Sequence, residues 1–230
     1  MIEVKNVSKK YKKIKALNDI SFNIQEGKIT AILGTNGVGK STILKAISGL
    51  VGIDSGEILI DGDRINKDTY NKLAFVPDVE SHFPQLTIKE SFEFMKEFYI
   101  NWSDEKAYEM LEIFNLTDDL LISSLSKGNK ARVKIVLGFA QNAKYTLLDE
   151  PFSGIDIFKR EEFIGIMAKY MDENQSIIIT THEIGEIEMI VDDVLIIDNG
   201  KLIFGFNAEE IRQSEGKSII DKMREVYRGE

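Results

Sequence analysis

The chain has 230 residues, of which 43% are hydrophobic, and this is enough to bury one large core or two small ones. Lysine and arginine number 29 against 38 acidic residues, and the formal net charge of -9 disfavours a surface that binds duplex nucleic acid by neutralising its phosphates. The absence of cysteine excludes disulfides, zinc–thiolate sites and thiol nucleophiles.

The N-terminal stretch MIEVKNVSKK lacks the apolar block of a secretory signal, so we expect it to be the mature terminus. The most apolar windows, such as ITAIL and SIIIT, are far shorter than the roughly 18 to 20 residues needed to span a bilayer. We therefore expect a cytoplasmic protein that meets a membrane only through a partner.

The first predicted elements are β-strands. Apolar residues recur mostly at every second position between Ile2 and Ile24, which predicts peripheral antiparallel strands with one buried face. The run KITAILG that follows is nearly continuous and apolar, which is typical of a parallel strand buried on both faces. We therefore expect an antiparallel subdomain at the N-terminus, followed by a mainly parallel α/β core.

The segment GTNGVGKST comes directly after this buried strand and matches the P-loop pattern from Gly34 to Ser41. Glycines let backbone N–H groups curl around phosphate oxygens, and a helix starting near Lys40 adds its positive N-terminal end. We predict that Lys40 reaches the β and γ phosphates and that Ser41 ligates Mg²⁺. An ordinary glycine turn is disfavoured by the strand context, and a Rossmann dinucleotide site lacks its third glycine. The predicted nucleotide-binding positions here are Gly34, Asn36, Gly37, Gly39, Lys40, Ser41 and Thr42.

A helical insert is predicted between about Pro84 and Val136. Thr87 and Glu90 have the spacing of a capping box, and a second helix is predicted to begin at Ser103. We divide the single domain into a core at about 1–80 and 137–205, a helical subdomain at about 81–136 and a C-terminal helical tail at about 206–230. The insert also holds aromatic residues that either pack internally or line a surface that binds a partner: Phe92, Phe94, Phe98, Tyr99 and Trp102.

Two further buried strands end in residues suited to catalysis. KYTLLDE ends in Asp149, suited to a Mg²⁺ shell, and Glu150, which can polarise a water for attack on the γ phosphate. SIIITTH ends in His182, which we predict to contact that phosphate and orient the water, because ligands collect at the carboxyl edge of a parallel sheet. Taken alone, an Asp-Glu-Pro turn or a single histidine is more often structural, but the P-loop favours the catalytic interpretation. Further on, Asn199-Gly200 predicts a hairpin.

The stretch SLSKGNKAR resembles the LSGGQ signature of ABC-type ATPases, with Leu125, Ser126 and Gly128 retained. Other marks of that family follow the same order along the chain. Tyr11 matches the aromatic residue that stacks on adenine, Ser153-Gly-Ile-Asp156 matches the D-loop, and His182 matches the switch histidine. The resemblance extends from Val4 to about Gly205.

This resemblance implies ATP and Mg²⁺ as cofactors and two copies that pair head to tail, as a homodimer or as half of a heterodimer. Each ATP would lie between one copy's P-loop and the other's signature helix, so that Ser126 and the N–H of Gly128 complete the partner's site. Asp156 is expected among the nucleotide-binding residues. The resemblance further implies separate integral-membrane permease subunits, a peripheral position on the inner face of the cell membrane, and no nucleic-acid partner.

The chain departs from the family pattern at three positions. Asp78 stands where the family has a glutamine, and we expect it to ligate Mg²⁺ through water, although it adds negative charge near the phosphates. Lys127 replaces the first signature glycine and Asn129 replaces the glutamine. Lys127 either faces the partner's nucleotide or is a solvated residue at a helix start. Similar substitutions occur together in ATPases resembling those of drug, lantibiotic and antimicrobial-peptide exporters.

Two alternative functions fit the sequence less well than ATP-driven transport does. A soluble non-transport ABC ATPase that acts on nucleic acid or the ribosome fits less well, because the chain has one cassette and no room for a long coiled-coil insert between Lys40 and Ser126. A nucleotide-gated protein that does not hydrolyse ATP is disfavoured by Glu150 and His182. The sequence thus predicts an ATPase subunit of a transporter, with export favoured over import.

Overall fold

The computed structural model describes residues 1–79, 83–152, 157–182 and 184–228 of the chain. The strands are β1 (Ile2–Tyr11), β2 (Ile14–Ile24), β3 (Ile29–Leu33), β4 (Ser55–Ile60), β5 (Asp63–Arg64), β6 (Leu73–Val76), β7 (Tyr145–Asp149), β8 (Ser176–Thr181), β9 (Asp193–Asp198) and β10 (Lys201–Asn207). The helices are α1 (Lys40–Ile47), α2 (Lys67–Tyr70), α3 (Ile88–Phe98), α4 (Asp104–Ile113), α5 (Lys127–Ala140), α6 (Ile157–Tyr170), α7 (Ala208–Glu215) and α8 (Ile219–Arg228).

The N-terminal strands form an antiparallel sheet in the order β2-β1-β4-β5, as their alternating pattern predicts. The alternation breaks between Val4 and Val7, which are both buried although they are three positions apart. A register shift lies between them, and Asn6 there has a φ of 51°. A β-bulge of this kind restores the inward direction of the side chains after an odd number of residues.

A second sheet of six strands has the order β10-β9-β3-β8-β7-β6. The strands from β9 to β6 are parallel, and β10 pairs antiparallel at one edge. The runs predicted to be buried on both faces, β3, β7 and β8, are buried along their whole length. Alternate residues serve two cores: Ile29 and Leu33 face the helical side, while Ile32 packs with α1 and the antiparallel sheet. The predicted α/β fold is confirmed.

The helix caps and the hairpin turn predicted from short sequence patterns are also present. Thr87 and Glu90 make the reciprocal hydrogen bonds of a capping box at the start of α3, and Ser103 caps α4. Asn199 and Gly200 join β9 to β10 with φ angles of 48° and 73°, which a type I′ hairpin turn requires.

The boundary predicted between the helical insert and the core lies near residue 136, and helix α5 continues across it. It packs against α4, and it also lies against β6, so it belongs to both regions. Gly138 makes this approach possible, because a Cβ there would lie 2.3 Å from Val76 Cγ2. The insert is therefore joined to the core through the second half of α5. None of the helices in the described ranges is both long enough and apolar enough to cross a membrane.

Candidate functional site

The P-loop leaves the carboxyl end of β3 and enters α1 at Lys40. Its two outer glycines are pressed against the chain's own backbone: a Cβ on Gly34 would lie 2.3 Å from the Ile197 oxygen, and one on Gly39 would lie 2.4 Å from the Ala16 oxygen. Gly37, at the exposed tip, has a φ of 83° and open space around it. The glycines therefore serve close packing between the loop and β2 and β9 as well as conformational freedom.

Helix α1 begins directly after this loop and has no side-chain cap at its N-terminus in the described part of the chain. Gly39 occupies the capping position, and no side chain in the described ranges accepts a hydrogen bond there as a cap. The first turn also carries no acidic residue. Backbone N–H groups at such a terminus attract an anion, since they lack intrahelical partners and stand at the positive end of the helix.

Lys40 is the buried cation of the site, with 5% of its side chain exposed. Its ammonium donates to the carbonyl oxygens of Gly34 at 2.8 Å and Thr35 at 3.2 Å. It also lies 3.1 Å from Glu150 Oε1. The positive charge of Lys40, which a bound phosphate would meet, is thus held inside the loop and is paired with the Glu150 carboxylate.

Asp149 lies at the end of β7 and is 2% exposed. Its Oδ1 accepts hydrogen bonds from Ser41 Oγ and from Thr180 Oγ1, both at 2.8 Å. The parallel register places Asp149 opposite Thr180 on β8, which explains the second contact. Thr180 was missed by the sequence analysis, and only the strand register brings it into the site.

Glu150 follows Asp149 with a φ of 44°, which is uncommon for a residue other than glycine. Its N–H donates to the Thr180 carbonyl and to Thr180 Oγ1, both at 3.1 Å, and these contacts hold the strained backbone. Its carboxylate lies between two partners, with Oε2 at 2.9 Å from His182 Nδ1 and Oε1 beside Lys40. The contact with Lys40 is an ion pair that lacks hydrogen-bond geometry.

The residues predicted for the P-loop and for catalysis therefore meet at one sheet edge. Lys40, Ser41, Asp149, Glu150 and His182 are joined by the contacts above. Such a cluster can hold a phosphate against a cation, offer oxygen ligands to a metal, and present a carboxylate to a water molecule.

Other predicted residues lie apart from this cluster. Within the described ranges, no hydrogen bond or ion pair joins it to Tyr11, Asp78, Ser126 or Gly128. Tyr11 ends β1 and is 44% exposed, with Lys9 Nζ 5.7 Å above its ring. Asp156 lies outside the described residues.

Ser126 and Gly128 lie at the start of α5. The Ser126 hydroxyl caps this helix by accepting from the Asn129 N–H at 3.3 Å, and the side chain is exposed. Lys127 is exposed beside it, and the first turn carries no acidic residue. The start of α5 is therefore accessible, and no acidic side chain in its first turn opposes an incoming anion.

A cavity of about 440 Å³ separates α3 from α5 and from the end of β6, and we call it the β6–α5 groove. Among the aromatic residues of the insert, Phe92 is fully buried and packs against Trp102. Phe94 and Tyr99 line the groove instead, and Phe98 lies outside it with 62% of its surface exposed. The groove lining comprises Lys45, Leu50, Phe75, Val76, Pro77, Val79, Phe83, Ser91, Phe94, Met95, Tyr99, Lys134, Leu137, Gly138 and Gln141.

Comparison with known proteins finds a match between residues 17–153 and the family model described as ABC transporter. The lipopolysaccharide export system ATP-binding protein LptB of Haemophilus influenzae is 31% identical over 100% of this chain and 98% of its own length. The linearmycin resistance ATP-binding protein LnrL of Bacillus subtilis is 33% identical over 96% of this chain and 74% of its own. A dimeric post-hydrolysis structure of the ATP-binding cassette MJ0796 with ADP and Pi superposes with a TM-score of 0.80 at 27% identity, covering 90% of this chain and 98% of that one.

Proposed function

The chain belongs to the ABC transporter family as an ATP-binding and ATP-hydrolysing subunit, and we propose that it powers export through separate membrane-spanning subunits by ATP-driven dimerisation. The observation that carries this proposal is the cluster at the sheet edge. There a buried lysine, a serine–aspartate pair and a glutamate–histidine pair surround the uncapped start of α1.

Nucleotide binding would exchange the partners of Lys40. Its ammonium now neutralises Glu150 and donates to two loop carbonyls, and the β and γ phosphates of ATP would replace the Glu150 contact. The loop from Gly34 to Thr42, including Asn36 and Gly37 at its tip, would surround the phosphates with N–H groups. Tyr11 would stack on adenine, since its ring is exposed at the end of β1 and the neighbouring Lys9 adds a favourable potential.

The donor set beside the P-loop suits Mg²⁺. This ion keeps several waters and is usually held by one or two carboxylates together with substrate phosphates. Ser41 and Asp149 present adjacent oxygens, while no group of three or more acidic or histidine side chains in the described ranges forms a metal cage of its own. Bound Mg²⁺ would neutralise charge on the β and γ phosphates. Asp78 is assigned to its water shell on the strength of the sequence.

Glu150 and His182 would carry out hydrolysis. Once Lys40 turns to the phosphates, the Glu150 carboxylate is released to accept a proton from the attacking water. His182, held 2.9 Å from Glu150, would orient that water and contact the γ phosphate. The strained backbone at Glu150 fixes the direction of its side chain, which supports an assigned role in the reaction.

The exposed start of α5 supports a site completed by a second subunit. Ser126 and the N–H of Gly128 would bind the γ phosphate held by the partner's P-loop, and Asp156 would lie nearby in the same interface. Hydrolysis would remove the phosphate that bridges the two halves and release the dimer. The dimeric arrangement of the similar MJ0796 cassette supports this assignment.

The shared site is tested with Ser126→Arg. We expect this variant to bind ATP as a monomer with unchanged affinity, because Ser126 lies apart from its own P-loop, and to fail to dimerise on gel filtration with ATP. Ser123→Arg is the matched control, since Ser123 is exposed close by but precedes α5. Normal dimerisation of Ser126→Arg would overturn the proposed arrangement.

The β6–α5 groove is the surface we assign to the permease. Among the described residues, its lining is mainly apolar and includes Lys45 and Lys134 but no carboxylate. The apolar lining and Lys45 fit an amphipathic helix that brings an apolar face and an acidic side chain. Leu50 and Val79 are exposed within the groove, and exposed Phe98 extends the apolar surface beyond it. The protein would then lie at the cytoplasmic face of the membrane.

Export is proposed because the similar LptB is named for an export system and LnrL for linearmycin resistance. Purification in mild detergent from native membranes, followed by identification of the accompanying proteins, tests the assignment of a membrane-spanning partner. We expect an integral-membrane protein to copurify and to be lost in Phe98→Glu, while Glu105→Gln, an exposed change on α4, retains it. Copurification of ribosomes or nucleic acid instead would favour the soluble alternative.

A further inference from the structure

We propose that Lys134 is a positioning residue that fixes α5, and with it Ser126, relative to the core sheet. This inference rests on the proposed role of Ser126 in the shared nucleotide site and deepens it. Lys134 was not singled out by the sequence, where it is one of several lysines in α5.

The first observation is the pair of carbonyls that Lys134 holds. Its ammonium donates to the carbonyl oxygen of Pro77 and, at 3.2 Å, to that of Asp78. Both carbonyls belong to the segment that leaves β6, at the same sheet edge as the catalytic cluster. Hydrogen bonds from an ammonium are roughly twice as strong as neutral ones, so they tie the helix to this segment.

A second contact lies one helical turn further on. Residues four apart share a helix face, and Gly138 meets Val76 so closely that no Cβ fits between them. Helix α5 is therefore attached at two points to three consecutive residues, Val76 to Asp78. The apolar packing that buries Val133, Val136 and Phe139 of α5 is non-directional, whereas the Lys134 hydrogen bonds fix the helix to particular backbone atoms of the core.

A tilt of α5 at Lys134 would displace Ser126 at the start of the helix. Ser126 lies eight residues before Lys134, which is about 12 Å along a helix that rises about 1.5 Å per residue. A tilt of about 10° at Lys134 would therefore move Ser126 by about 2 Å on the same geometry. That displacement is enough to break a hydrogen bond to a phosphate on the opposite subunit.

The first test measures the position of the insert directly, and the lack of cysteine in the chain makes site-specific labelling simple. Spin labels are attached to Glu112→Cys on α4 and Asn23→Cys on β2, both exposed, and their distance distribution is measured by pulsed electron paramagnetic resonance. We expect Lys134→Met to broaden the distribution at least twofold and Lys134→Arg to restore it. Lys96→Met is the matched control, because the ion pairs of Lys96 in the described part of the chain, with Glu93 and Asp104, both lie inside the insert. An unchanged distribution in Lys134→Met would refute the proposal.

The second test measures ATP-driven dimerisation by gel filtration in the Glu150→Gln background. We expect Lys134→Met to raise the ATP concentration at half-dimerisation about tenfold, or about 1.4 kcal/mol, with unchanged ATP binding by the monomer. If the parent never dimerises, the proposed function fails while the distance measurement still decides the role of Lys134. If both dimerise at the same ATP concentration, the role assigned to Lys134 fails. Lys134→Gln replaces the methionine variant if the latter does not fold.

Discussion

Replacement of Glu150 by glutamine probes both its pairing with Lys40 and its role as a base. The backbone at this position is held by two hydrogen bonds from its N–H to Thr180, which do not depend on the side chain. The variant should therefore fold normally. An amide cannot accept a proton from water at neutral pH, and loss of a general base lowers turnover about 10²- to 10⁴-fold.

The affinity of Glu150→Gln for ATP should rise, although its turnover falls. The ion pair between Lys40 and Glu150 must break before the ammonium can reach a phosphate, and the amide removes this competitor. A close charge pair contributes about 1.5 kcal/mol at the low end, which corresponds to about tenfold in affinity. We therefore expect Glu150→Gln to bind ATP up to about tenfold more tightly and to accumulate as an ATP-bound dimer.

The assays are steady-state phosphate release, calorimetric titration with ATP and gel filtration. Glu209→Gln is the matched control, because Glu209 is exposed on α7 and pairs with Arg212 within that helix. Unchanged phosphate release from Glu150→Gln would refute its role as the base. Weaker binding of ATP would refute the competition between the carboxylate and the phosphates.

Two further predictions concern aspartates outside the catalytic cluster. Asp78→Gln should keep or raise basal ATPase activity. Lys134 donates to the backbone carbonyl of Asp78, which the substitution retains, and an amide side chain still binds water. Complete loss of phosphate release would show that the carboxylate is required. Asp61→Asn should lower the free energy of unfolding by about 2 kcal/mol at pH 7, because Asp61 accepts from Tyr145 Oη at 2.6 Å and Lys144 Nζ at 2.9 Å. Partial burial opposes ionisation, yet hydrogen bonds from the Met1 amino group, Tyr145 and Lys144 lower the pKa of Asp61 well below its usual range. This stabilisation is complete above the unfolded pKa of about 3.9 and is lost as the pH falls further. The free energies of unfolding of the parent and Asp61→Asn, measured by urea titration, should therefore differ at pH 7 and converge in acid. A difference that stays constant with pH would contradict the assignment.

Much of the site follows from local sequence. The P-loop, the capping box at Thr87 and the hairpin at Asn199-Gly200 depend on residues a few positions apart, whose backbone preferences act before any tertiary contact forms. Continuous apolar runs likewise predict strands buried on both faces, because each face must meet its own core. Asp149, Glu150 and His182 could be selected because they end such strands.

Only the tertiary structure decided which distant residues meet. Thr180 bonds to Asp149 because β7 and β8 pair in parallel with one particular register, and a shift of one residue would turn it away. Lys134 reaches the carbonyls of Pro77 and Asp78 because Gly138 lets α5 approach β6, a contact across more than fifty residues of chain. Backbone carbonyls carry no residue identity, so no sequence pattern can mark them as partners. Their positions depend on packing that the whole chain must complete.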